Sequence, residues 1–168
     1  MTSIFCAICF IKNVSFSSSG KCYIGSVVYR TATKEFAEYK FKAFYIEESS
    51  LIEELTKKTI TMIIGCFAFE DELNVMISQS VTLQIQMLQN EPIIYNLPIA
   101  PAFGIFSAPV QDPSEPHGDN AIFHLKKGVY NSMNGKTTNL LVICKYNPKG
   151  RHSNVAEATH RQTIFSVA

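Results

Sequence analysis

The chain alternates most clearly between residues 35 and 46. Ala37, Tyr39, Phe41, Ala43 and Tyr45 fall on one parity, and Phe36, Glu38, Lys40, Lys42 and Phe44 on the other. A period of two, sustained over this length and rich in aromatics, predicts a half-buried strand. The first set faces a core. The second leaves two lysines bracketed by phenylalanines on the outer face. Residues 4–12 are apolar on both parities, as in a central strand, and the serine-rich stretch 13–20 reads as a loop. Residues 21–30 form a further strand, with Tyr23, Val27 and Tyr29 on one face and Cys22, Ile24, Val28 and Arg30 on the other.

After residue 48 the pattern changes. Ser50 and Glu53 have capping-box spacing, Leu51 and Leu55 share a helical face, and Lys57 and Lys58 suit a helix C-terminus. This predicts a short helix over 50–58 that needs the sheet to hold it. Residues 59–69 are apolar on both faces, with Gly65 marking a bulge or bend. Glu70, Asp71 and Glu72 make a polar turn, and Leu73, Val75, Ile77 and Val81 then alternate with Asn74, Met76, Ser78 and Ser80 as a one-sided strand.

The order is strand, strand, strand, helix, strand, strand. Over residues 3–85 it resembles that of the OB-fold single-stranded nucleic-acid-binding proteins, at the level of topology and of no specific family. The expected fold class is all-β with one short helix: an OB-fold-like Greek-key β-barrel over 1–88, a Pro-rich linker or arm over 89–120, and an additional β segment over 121–168.

Six of the seven prolines fall between residues 86 and 120, which predicts an extended arm without a long interior strand. Its apolar residues, among them Ile93, Leu97, Ile99, Phe103 and Phe106, predict that it packs on something. Residues 122–130 fit strand or helix, 140–146 a strand after an Asn134-Gly135 turn, 151–161 a polar stretch with a short helix, and 163–167 a last strand. The similarity of residues 3–7 to 163–167 suggests that a second barrel starts at the end of a truncated chain.

Composition narrows the function. A net charge of +1 on 168 residues gives no global field for polyanions, so nucleic-acid binding needs a local patch. Five irregularly spaced cysteines read as buried hydrophobes in a reducing, intracellular setting (nucleus or cytoplasm), and no apolar run is long enough to span a membrane. Cys6 and Cys9 form a C-x-x-C whose sulfurs diverge on a strand. Asp112, Glu115, His117 and Asp119 crowd a loop poorly suited to hold a metal, and His152 and His160 lie beside Arg151 and Arg161 in a small basic cluster. There is no nucleophile elbow, P-loop or dinucleotide fingerprint. The expectation is a non-enzymatic protein without cofactor or metal.

The resemblance implies binding of single-stranded DNA or RNA on the face of strands two and three, beside the loops 13–20 and 70–72. Tyr29, Phe36 and Phe44 would stack on bases, and Arg30, Lys34, Lys40 and Lys42 would contact phosphate. The acidic 70–72 loop and Glu38 oppose this. The alternative is a protein-interaction or assembly module that uses the apolar arm, residues 93–106, on a partner or a second copy. A secreted β-sandwich is a third reading.

Overall fold

The computed structural model describes residues 3–17, 22–45, 51–84, 91–160 and 163–167. The first five strands are β1 (Ser3–Phe16), β2 (Cys22–Ala32), β3 (Glu35–Phe44), β4 (Ile60–Phe69) and β5 (Leu73–Thr82). They are hydrogen-bonded in the order β2-β3-β5-β4-β1, and β1 also pairs β2, which closes the sheet. β3 and β5 are parallel and the other pairs antiparallel. This closed Greek-key order is that of the OB-fold.

Closure depends on one long strand serving two neighbours. β1 pairs β4 from Ile4 to Phe10 and β2 from Phe10 to Phe16, with an irregularity between Ile11 and Asn13 at the hand-over. Gly25 lies opposite this bend; a Cβ there would sit 2.0 Å from the Asn13 carbonyl oxygen and 2.8 Å from the Phe41 ring. Only glycine lets β2 pass so close. Gly65 has the same role in β4, where the register to β5 shifts between Ile64 and Gly65. The predicted bulge is present.

The barrel interior takes the parity read from the sequence. Tyr39, Phe41 and Ala43 point inward with Ile11, Val27, Ile63, Val75 and Ile77. The strand at residues 4–12 extends through Asn13–Phe16, where a loop was expected, because Val14 to Phe16 continue the ladder to β2.

The predicted helix over 51–58 is absent, and its cap, Ser50, lies outside the described residues. Groups that would close helical turns bond the sheet instead. The Ser80 N–H donates to the Leu51 carbonyl at 3.1 Å, and the Thr82 N–H to Glu53 Oε2 at 2.7 Å. Ile52 and Leu55 are buried in the barrel core, while Leu51 is exposed. Residues 51–58 therefore form a non-helical plug that seats Ile52 and Leu55 in the barrel core and turns at 57–58, where Lys58 has a φ of 68°.

The second half continues the same sheet. β6 (Phe103–His117), β7 (Asn120–Asn131) and β8 (Lys136–Tyr146) follow β1 in order, α1 (Val155–Ala158) comes next, and β9 (Ile164–Val167) pairs β6. The Pro-rich stretch thus holds a 15-residue strand, against expectation. Its prolines sit where a missing N–H is tolerated: Pro109 is at the change of partner from β9 to β7, and Pro113 lies in the irregularity between Asp112 and Glu115. A second core forms from Phe106, Val110, Phe123, Leu125, Val129 and Leu140, joined by Ala68 of β4. No helix among the described residues is long and apolar enough to cross a membrane.

Cys9 and Cys144 are buried and unpaired, and Cys66 is exposed, so the sequence reading of the cysteines as buried fails at Cys66. Burial pushes the Cys9 thiol up to about 12 and the Cys144 thiol to about 11. At neutral pH a thiol reagent is expected to label Cys66 first and to reach Cys9 and Cys144 only on unfolding, as mass spectrometry of the labelled peptides will show. Raised thiol values also set an alkaline trend. Their stabilisation is complete below the unfolded value near 9 and is lost as the pH climbs toward 12.

Candidate nucleic-acid interface

The outer parity of β3 carries Phe36, Glu38, Lys40, Lys42 and Phe44. The strand register brings Ser26 beside Lys40 and Ile24 beside Lys42. A groove of about 460 Å³ runs here, lined by Asn13 and Ser15 of β1, Ile24 and Ser26 of β2, Lys40 of β3, Lys57 of the plug and Met133 of the β7–β8 turn.

Lys40 pairs with Glu72 at 2.7 Å and Lys12 with Glu38 at 2.6 Å, all four side chains about half exposed. The hydrogen bond from Lys12 is the main reason the Glu38 carboxyl lies below its usual range. Exposed pairs of this kind contribute about 0–1 kcal/mol, so a phosphate can compete for either lysine. Lys42 donates to the Ser132 carbonyl at 3.3 Å and lies 5.2 Å from the centre of the Phe44 ring. Lys42 and Lys57 have no carboxylate partner among the described residues. Phe44 is 47% exposed beside them.

The seven residues read from the sequence separate into groups. Lys40 lines the groove, and Lys42 and Phe44 follow it on the same outer parity of β3. Tyr29 does not join them: it points inward, with ring contacts to Phe5 at 6.2 Å and Tyr39 at 6.0 Å, and burial raises its hydroxyl pKa. It shares the Val27 parity, so a stacking role alongside Arg30 was excluded by the alternation itself.

Arg30 and Phe36 lie at the other end of β3, beneath the chain at 94–97. The Arg30 guanidinium donates to the carbonyls of Ala32, Thr33, Tyr95 and Leu97, at 2.5 to 3.2 Å. Phe36 meets the Tyr95 ring edge-on at 5.5 Å, and Leu97 is buried beside it. Lys34 stands exposed in the β2–β3 turn, ten residues and roughly 33 Å of strand from Phe44. Alanine at Arg30 is expected to free the 91–100 segment, with a cost of about 1–3 kcal/mol and faster proteolysis there. Lysine will rescue little, since it cannot fork onto several carbonyls.

The sequence reading set the stretch 13–20 beside the site, which takes in Asn13, Ser15 and Phe16 without naming them as contacts, and missed Lys57 and Met133. Phe16 is 47% exposed and 4.7 Å from Tyr23, whose ring in turn meets Tyr45 at 5.9 Å. These three rings line the barrel rim next to β3. Elsewhere, Asp112 lies 3.6 Å from His124 on the β6–β7 ladder, and no group of three metal-ligating side chains forms among the described residues. Arg151 Nε donates to His152 Nε2 at 3.0 Å, while Arg161 lies outside the described residues.

No family model matches the chain, and no curated protein matches it in sequence. Among solved structures, it is similar to a deletion mutant (residues 228–252), also carrying R190A, of the single-stranded DNA binding protein from Thermus aquaticus. The identity is 12% over 99% of this chain and 84% of that one, with a TM-score of 0.48. The OB-fold order stated above is read from the strand pairings of this chain.

Proposed function

We propose that the chain is a non-enzymatic module that binds single-stranded nucleic acid along the groove across β1, β2 and β3. The observation that carries this is the grouping of Lys40 and Lys57 with the hydrogen-bonding side chains of Asn13, Ser15 and Ser26 in one groove, with Lys42 two residues from Lys40 on the same outer parity of β3, on a closed OB-type barrel. Single strands are held by cations that follow the phosphates and by aromatics that stack on bases. Phe44, and Phe16 on the adjoining rim, supply the rings. Arg30 and Phe36 serve instead to dock the 94–97 segment.

Fluorescence anisotropy of a labelled mixed-sequence single strand tests the reading. Three phosphate contacts predict a slope of about −2 in log affinity against log salt. Raising salt from about 50 to 200 mM should therefore weaken binding roughly twentyfold. Absence of binding at low salt with micromolar protein would end the proposal. A second reading, contact with another protein through the arm, is favoured by Ile93, Tyr95, Ile99 and Phe103, each more than half exposed. That contact would respond little to salt.

A further inference from the structure

The β7–β8 turn belongs to the second half of the chain, yet it reaches the barrel and forms one side of the groove across β1, β2 and β3. Two bonds anchor it there. Lys42 donates to the Ser132 carbonyl at 3.3 Å, and Asn134 Nδ2 donates to Glu70 Oε2 at 3.0 Å. The turn between these anchors is also fixed from within. The Gly135 N–H donates to the Asn131 carbonyl at 2.9 Å, and the Met133 N–H to Asn131 Oδ1 at 3.0 Å. Asn131 and Ser132 at its base are buried.

Met133 stands between the two anchors and lines the groove. It is half-buried and belongs to none of the three hydrophobic clusters among the described residues. Ile24, the cross-strand neighbour of Lys42, lines the same groove and is outside those clusters too. Two apolar side chains that the core does not use therefore share a groove with Lys40 and Lys57. Ammonium groups suit phosphate, and a polarizable thioether suits the face of an aromatic ring. A nucleotide carries both parts. Its base offers a free face only once it leaves the stack of a duplex.

We propose that Met133 is a base-contacting residue: the turn holds its side chain against the face of one unstacked base, and the Glu70–Asn134 bond positions it. The role rests on the single-strand reading and concerns the base, where Lys40 and Lys57 concern the phosphate. The contact tolerates any sequence, because every base has a π-face. A rigid turn makes it cheap to form, since little is ordered on binding.

Anisotropy with two labelled strands of equal length is the test, one of mixed sequence and one abasic throughout, which keeps the phosphates and lacks the bases. The unaltered chain should bind the mixed strand at least tenfold more tightly. Met133→Ala should weaken the mixed strand about fivefold, and leave the abasic strand and the salt slope near −2 unchanged. Met133→Leu, which keeps the apolar bulk, should recover most of that loss. Glu70→Ala removes an anchor without altering the turn, and should lower the ratio of the two affinities about twofold even if the lost carboxylate raises both. A ratio that Met133→Ala does not lower would overturn the role of Met133, while salt-dependent binding of the mixed strand would leave the proposed function standing. Loss of that binding in the unaltered chain would remove both.

Discussion

Replacing Phe41 with alanine is expected to destabilise the protein by about 3–5 kcal/mol, the usual cost of truncating a fully buried phenylalanine. Phe41 has no exposed surface, and its ring packs against Gly25, its cross-strand partner, where β2 passes the Asn13 carbonyl. The cavity would open at the bend that lets β1 hand over from β4 to β2. Neighbours collapse poorly there, because Gly25 has no side chain to move and its backbone is held by β1 and β3. A domain has about 5–15 kcal/mol of stability in all, so the variant should unfold at a much lower urea concentration. Phe44→Ala, on the exposed parity of the same strand, should change the stability by no more than about 0.5 kcal/mol. Equal effects at the two positions would contradict the inward and outward assignment of β3.

That assignment was legible because the two faces of β3 differ in chemistry. Tyr39, Phe41 and Ala43 cannot be exchanged with Lys40 and Lys42 without burying two charges. Gly65 was legible too, as a residue without a side chain in an apolar strand. The segment 51–58 was not. Its capping spacing and its Leu51–Leu55 pair are local signals, while the bonds that settle its conformation come from Ser80 and Thr82, which lie beside it only once the barrel has closed. β6 was hidden by its prolines, since nothing in 103–117 reveals that the strand changes partner at Pro109 and breaks register around Pro113.

The candidate site divides in the same way. Lys40, Lys42 and Phe44 follow from the periodicity of one strand. Lys57 and Met133 reach the groove through the plug and the β7–β8 turn, and no spacing within β3 reports them. Arg30 shows the opposite error. A cation next to an aromatic pattern looks suited to phosphate, but its donors are taken by carbonyls 65 and 67 residues further along the chain.

Charge reversal of the two outer-face lysines of β3, Lys40→Glu with Lys42→Glu, is expected to reduce single-strand affinity at least a hundredfold at low salt. Each lost phosphate contact of about 1.4 kcal/mol is a factor of ten, and each new carboxylate repels the backbone as well. The salt slope should shrink by about 1.4, from near −2 to about −0.7, since roughly 0.7 of slope belongs to each contact with a single strand. Stability should change little. Lys40 and Lys42 lie on the outer face, and the Lys40–Glu72 pair that would be lost is half exposed. Glu72 itself gives the sharper test. Glu72→Gln frees Lys40 from its partner and should tighten binding while leaving the slope near −2, because it adds no phosphate contact. Arg30→Ala should leave the slope unchanged, because its guanidinium holds the 94–97 segment. A slope that falls with Arg30→Ala and persists in the double reversal would move the nucleic acid to the other end of β3, where the 94–97 segment would first have to lift away.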